Sequence, residues 1–361
     1  MIPENLPDYV DRGGRQVWRP PYMARETEVF GFVVECRREA IDRLLRRDLV
    51  EPSGGALDYR CARDRVAILF ARIGRLASAD HRDTLRGYVS ELEVSVWCLA
   101  ADVLAGGRLV WYLPYVFVDS GQAAASGREV YGYPKQMATF EPRYPERLAS
   151  PGTTTTVKAQ AIDRYDPDAK AVPRPMISAT RSTGAGERRP NGIAGLLGHV
   201  VTDLAVDRSL PYGEPPRPSA SITSVDAPPP GPTRPPPAWA ARRALNTLFG
   251  RGLSDSPETL LAEMTASPML VFLKQFRDVT CPRKACYQAV VEAPLAVHAR
   301  GAKYTELDPG LYRIQVFDYA SHPVARDIGV TARKRLEPDF AFHAAFDFDI
   351  ALGDEVWRGT P

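Results

Sequence analysis

The feature that most constrains this chain is a succession of short β-type runs between residues 66 and 163: AILFARI, YVSELEVSVWCLA, RLVWYLPYVFVDS, REVYGY and TTTVKAQAID. Runs so closely spaced, rich in β-branched and aromatic residues and separated by turn residues, predict a mostly β region from about 60 to 180. In YVSELEVSVW, strict alternation puts Leu92, Val94, Val96 and Cys98 on one face and Glu91, Glu93, Ser95 and Trp97 on the other. The polar set is either a solvated outer face or the lining of a cleft or barrel interior, where a buried glutamate can act as acid or base. Residues 94–118 are apolar but interrupted by Asp102, Gly106, Gly107, Arg108 and Pro114. They read as two buried strands about a Gly-Gly turn, not as a membrane span.

Around this region the chain changes character twice. Residues 30–34 predict a short strand leading into CRREAIDRLLRRDL, where Ala40, Ile41, Leu44, Leu45 and Leu49 recur at helical spacing. The stretch 207–240 holds 11 of the 33 prolines, too many for a packed element, and predicts an extended linker. AWAARRALNTLF and SPETLLAEM after it look helical, the second with Ser256 as N-cap and Pro257 at the first helical position. β character returns in MLVFLKQF, KACYQAVVEAPLAVHA, YRIQVFDYA and FAFHAAFDFDIAL. The organisation expected is one β domain in two parts, 1–182 and 266–361, interrupted by an insertion at 183–265.

Charge and motifs exclude several function classes. With 46 Lys and Arg against 44 Asp and Glu, the chain lacks the concentrated basic face that nucleic acid requires. Five cysteines, odd in number and sparse in a chain of 361 residues, argue against a disulfide scaffold and for a reducing, cytoplasmic setting. The N-terminal MIPENLPDYVDRGG has no signal-peptide character. No phosphate loop exists, and GIAGLLG does not match the dinucleotide fingerprint. Cys281 and Cys286 lack a second ligand pair and the five histidines form no metal-binding pair, so no metal site is expected. His322, in YASHPVARD, reads as a turn residue.

One run carries more specific information. In GREVYGYPKQMATFEP, Lys135 follows Gly-Tyr-Pro and is either a solvated turn residue or a buried amine held for chemistry. Gly127, Arg128, Glu129, Gly132, Pro134 and Lys135 fall in register with the signature of the acetoacetate decarboxylase superfamily, which the chain resembles over roughly residues 20–180 and 265–350. The resemblance implies a mainly antiparallel, closed or cone-like β-barrel with peripheral helices, homo-oligomeric assembly, and Lys135 as the amine that forms an imine with a carbonyl substrate. Such an amine must be neutral to react, and acetoacetate decarboxylase is itself a standing example of lysine activation by its surroundings.

The same resemblance assigns neighbouring roles and shows departures. Glu91 matches one of the family's two active-site glutamates and is the expected proton-handling or orienting carboxylate. The other position falls near Leu69. A second lysine follows the Schiff-base lysine in true decarboxylases, and Gln136 stands there in this chain, so burial alone is expected to lower the Lys135 pKa. The substrate-orienting arginine has no counterpart in register: Thr27 occupies its place, with Arg25 two residues earlier. Gln136, Arg25, Tyr133 and Glu93 are the candidate substrate-binding residues. The implied function is a carbon–carbon lyase acting on an oxo acid or polyketide-like ketone, by decarboxylation or by aldol-type condensation and dehydration, with the lysine imine doing the electronic work so that no metal or organic cofactor is expected. The alternative is a non-catalytic small-molecule binder that kept the fold.

Overall fold

The structure, a computed structural model, describes residues 6–11, 17–142, 145–184, 189–190 and 268–359. The Pro-rich middle of the expected insertion and its helical pieces lie outside the described residues. Among those described, no helix is long and apolar enough to cross a membrane.

The first strand, β1 (Tyr22–Glu35), is longer than its central apolar run implies and leads into α1 (Arg38–Leu45). Long strands β2 (Tyr59–Ser78), β3 (Val89–Asp102) and β4 (Arg108–Val118) follow, the last two joined through the expected Gly-Gly turn. Next come α2 (Gly121–Val130), β5 (Lys135–Glu141), β6 (Thr154–Ala161), β7 (Val172–Arg181) and the short β8 (Arg189–Pro190). The C-terminal part supplies β9 (Met269–Arg277), β10 (Ala285–Leu307), β11 (Tyr312–Val316), α3 (Val324–Ile328), β12 (Phe340–Ile350) and β13 (Asp354–Arg358).

These strands form one 13-stranded sheet. Ladder pairings run β4–β3–β2–β1–β12–β10–β9, and two parallel residue pairs between β9 and β4 join the ends of that series. Strands on both sides of residues 191–267 therefore share one sheet. β4 pairs in parallel with β5 as well as with β9, so a mainly β, mixed sheet with few helices replaces the antiparallel barrel expected. The reason is local. Parallel neighbours need a crossover, usually helical, and α2 is that crossover between β4 and β5. It also corrects the reading of REVYGY as a strand: Arg128–Val130 is the last turn of α2, nucleated upstream where Ser120 caps Ala123 N–H and alanines follow.

Residue parity organises the interior. Phe30, Phe32 and Val34 of β1, Ile68 and Phe70 of β2, and Val94, Val96 and Cys98 of β3 point into the main core. They meet Ile41, Leu44 and Leu45 of α1 and, from β6, β7 and β11, side chains such as Val157, Ile177 and Ile314. Residues of the other parity on the same strands line a cavity. The central strands are thus buried on both faces, so the polar face of YVSELEVSVW is interior and not a solvated exterior.

Candidate functional site

The turn that carries Lys135 is built from the end of α2. The Gly127 carbonyl accepts from the backbone N–H groups of Tyr131, Gly132 and Tyr133 at 3.1–3.2 Å, closing the helix as glycine-terminated helices do. Gly132 takes φ +87°, and a Cβ there would lie 2.6 Å from Lys274 Cα. Pro134, unable to continue a helix, then turns the chain into β5. Gly127 is equally constrained: a Cβ on it would lie 3.0 Å from Lys135 Cδ, so the missing side chain is the space the lysine stem occupies. Gly132→Ala is expected to cost roughly 2–4 kcal/mol, from left-handed strain plus an immovable backbone contact, read as a lowered denaturation midpoint at unchanged m-value.

From this turn Lys135 projects into a cavity of about 230 Å³. Its Nζ donates to Glu91 Oε1 at 2.6 Å and lies 3.4 Å from Glu93 Oε2, with the Tyr133 ring centroid 5.6 Å away. Glu91 and Glu93, two residues apart on β3, point the same way by strand alternation. The Glu91 side chain is wholly buried, Lys135 nearly so, and Glu93 is 14% exposed. Burial pushes the Glu91 carboxyl up, to about 7, against the lowering influence of Lys135. For Lys135 burial acts to lower the pKa, yet the Glu91 and Glu93 carboxylates outweigh it and hold the ammonium above its ordinary range. The expectation that burial alone sets this pKa is corrected by those two contacts. The two groups meet across a short hydrogen bond in which the lysine donates to the carboxylate.

Four of the sequence-predicted residues, Lys135, Glu91, Glu93 and Tyr133, line this cavity together. Thr27 and Leu69, standing at the positions where the resemblance looked for an arginine and a second glutamate, line it too. Gln136 and Arg25 do not. Gln136 follows Lys135 on a strand and so faces away, its Oε1 2.5 Å from His322 Nε2. Arg25 turns outward to Asp349 at 2.7 Å because a bulge between Ala24 and Thr27, where Glu26 takes φ +55°, breaks the parity of β1. His322 is buried in its turn, its Nδ1 2.8 Å from Ser321 Oγ, and burial lowers its pKa. Contributors that sequence reasoning did not single out include Trp18, Trp111 and Ser126, for which only tertiary placement gives a signal. Among the described residues no cluster of His, Cys, Asp and Glu could hold a metal ion.

A lysine on a glycine-proline turn, buried against a glutamate two strands away, can be set beside known proteins. Residues 11–160 match the acetoacetate decarboxylase (ADC) family. Over those residues, under half of the chain, the protein resembles that family. Acetoacetate decarboxylase from Legionella pneumophila superposes with TM-score 0.53 at 14% identity, covering 97% of this chain and 92% of that one. A second acetoacetate decarboxylase structure gives 0.51 at 15% identity, with coverages of 96% and 94%. An acetoacetate decarboxylase-like enzyme from Sphingomonas wittichii RW1 gives 0.50 at 11% identity, with coverages of 95% and 94%. At these identities the structural likeness concerns the fold. Comparison with curated proteins finds no match. In this chain the place directly after Lys135 belongs to a glutamine on the opposite face, and Lys135 is the one cation lining the cavity among the described residues.

Proposed function

We propose that the protein is a member of the acetoacetate decarboxylase-like superfamily and a carbon–carbon lyase that forms an imine between Lys135 and a carbonyl substrate. The observation that carries the reading is the 2.6 Å hydrogen bond between Lys135 Nζ and the fully buried Glu91. In water a lysine near pKa 10.4 leaves only about one amine in a few thousand neutral at pH 7. Glu91, with its raised proton affinity, is a short-range acceptor for the ammonium proton. Transfer along the hydrogen bond yields a neutral amine and a neutral carboxylic acid without placing a net charge in the cavity.

The amine lone pair then attacks the carbonyl carbon, and the carbonyl electrons move to oxygen to give a carbinolamine. Glu91 returns its proton as the hydroxyl leaves as water, so ketone and ammonium become protonated iminium and water, with no net proton change. The iminium draws electrons from the adjacent carbon. It can accept the pair released by loss of CO₂, or the pair released when a β-hydroxyl gives up its proton and the Cα–Cβ bond breaks. In the reverse direction the enamine attacks an aldehyde. Glu93, 3.4 Å from the amine and closer to solvent, is suited to the proton transfers at carbon.

Borohydride added to the protein with carbonyl compounds is expected to leave reduced adducts on the Lys135 peptide, read by mass spectrometry. Labelling confined to surface lysines for every carbonyl tried would reject the imine and leave the non-catalytic binder.

A further inference from the structure

The walls around Lys135 say what kind of carbonyl compound fits there. Among the described residues lining the cavity, the charged groups are Lys135, Glu91 and Glu93, one cation facing two carboxylates. An anionic substrate would enter a site with no positive charge to spare, because the lysine is committed first to Glu91 and then to the imine. Three of the neutral donors on the lining are spent as well. The Tyr22 hydroxyl donates to the Trp18 carbonyl at 2.7 Å, that of Tyr131 to the Ala351 carbonyl at 2.8 Å, and Trp97 Nε1 to Ser95 Oγ at 2.8 Å. The two tyrosines turn their hydroxyls into the protein, and all three residues leave ring surface to the cavity.

Much of the remaining lining is hydrocarbon drawn from several strands: Val33 from β1, Leu69 from β2, Leu113 from β4, Leu295 from β10, and Phe342 and Phe348 from β12. Polar atoms also come from Ser126, Tyr133 and the indoles of Trp18 and Trp111, and from Thr27; the last stands apart. Its buried hydroxyl has no hydrogen-bond partner among the described residues, an arrangement that suits a single neutral oxygen on a guest. Arg25 is engaged with Asp349 outside the cavity and offers a carboxylate no partner inside it. A carboxylate moved from water into such a space without a partner is strongly disfavoured, whereas each methylene buried there is favourable.

We propose that the site takes an uncharged, elongated apolar ketone or aldehyde, held by its hydrocarbon tail, and discriminates against oxo acids. The proposal rests on the reading of Lys135 as the imine-forming residue and narrows its chemistry. A substrate without a carboxylate has no CO₂ to lose, which leaves aldol-type bond making or breaking. In the cleavage direction the β-hydroxyl proton passes to a carboxylate, the Cα–Cβ pair moves into the iminium to give an enamine, and an aldehyde departs. Protonation of the enamine carbon and addition of water then release the ketone and regenerate the lysine.

The test is borohydride labelling of the intact full-length protein with methyl ketones from butanone to decanone, against α-oxo acids of the same chain lengths. For the ketones the half-saturating concentration should fall about fourfold per added methylene until the cavity is full. The matched oxo acids should label Lys135 on the order of 100-fold less well. Glu93→Gln, which removes one of the two repelling charges, should narrow that gap by about tenfold or more. Oxo acids labelling Lys135 as well as the matched ketones would overturn the substrate class while leaving the imine intact, and so would a gap unmoved in Glu93→Gln. If no carbonyl compound labels Lys135, the imine reading fails, and calorimetric titration with the matching unreactive alcohols decides the rest. Binding that tightens with chain length supports an apolar, neutral ligand, and no binding overturns it.

Discussion

Lys135→Met is expected to abolish borohydride-dependent labelling in the cavity and to lower turnover of any substrate by at least about 10³-fold, the order of loss when a concerted site loses its nucleophile. Methionine keeps most of the stem volume that fits over Gly127, so the turn should persist. What changes is the electrostatics of Glu91, whose wholly buried side chain keeps Oε2 without a hydrogen-bond partner among the described residues even when the lysine is present. A carboxyl whose folded pKa lies above its unfolded value binds protons more tightly in the folded state. Its contribution to stability is fully present below the ordinary value of 4.5 and is lost as pH rises through the folded value, about 7 in the unsubstituted protein. Removing Lys135 removes the cation that holds this value down and moves it higher. The melting temperature of Lys135→Met should therefore fall more steeply than that of the parent between about pH 5 and pH 9. Adding Glu91→Gln to Lys135→Met should flatten the slope. Equal slopes in all three proteins would mean that Glu91 is not a buried titrating group, and labelling that survives in Lys135→Met would remove the lysine from the chemistry.

What the sequence made legible here was parity, and what it hid was anything that crosses strands. Period-two alternation placed Glu91, Glu93, Ser95 and Trp97 on one face, and that face does line the cavity. The same rule, applied one step past Lys135, puts Gln136 on the opposite face, where it meets His322. The motif resemblance had drawn Gln136 into the site on adjacency alone. Arg25 needed more, because parity fails at a bulge and neither Arg25 nor Glu26 is a residue that announces one. The helix α2 was misread because GREVY, a few residues with Val and Tyr, was judged by its own composition. The deciding signals lay upstream in Ser120 and Ala123–Ala125, in a cap and a propensity that a short window does not contain. The sign of the Lys135 pKa shift was out of reach for another reason. Its partners sit on β3, separated from β5 by β4, and a 2.6 Å contact across that arrangement has no trace in the spacing of residues 91 and 135.

Glu91→Gln separates the lysine's reactivity from its charge. In the parent, falling pH protonates Glu91 near 7 and removes the acceptor for the ammonium proton, so single-turnover labelling of Lys135 should decline through that range as pH falls. Glutamine keeps the shape and a hydrogen-bond acceptor but takes no proton. It also removes the largest influence raising the Lys135 pKa, leaving burial to lower it against Glu93 alone. The variant should hold more free amine at neutral pH than the parent and still bring carbonyl compounds to the lysine. It should nevertheless lose about 10²–10⁴-fold in full turnover, since water must leave and return without a proton donor beside the carbinolamine. The decline near pH 7 should vanish and be replaced by a limb that follows the lysine itself. Glu91→Asp, which restores a carboxylate on a shorter stem, should recover a limb in the parent's direction with part of the rate, a rescue that loss of packing alone would not give. A labelling profile in Glu91→Gln that still turns down near pH 7 would assign that proton to another group and take Glu91 out of the mechanism.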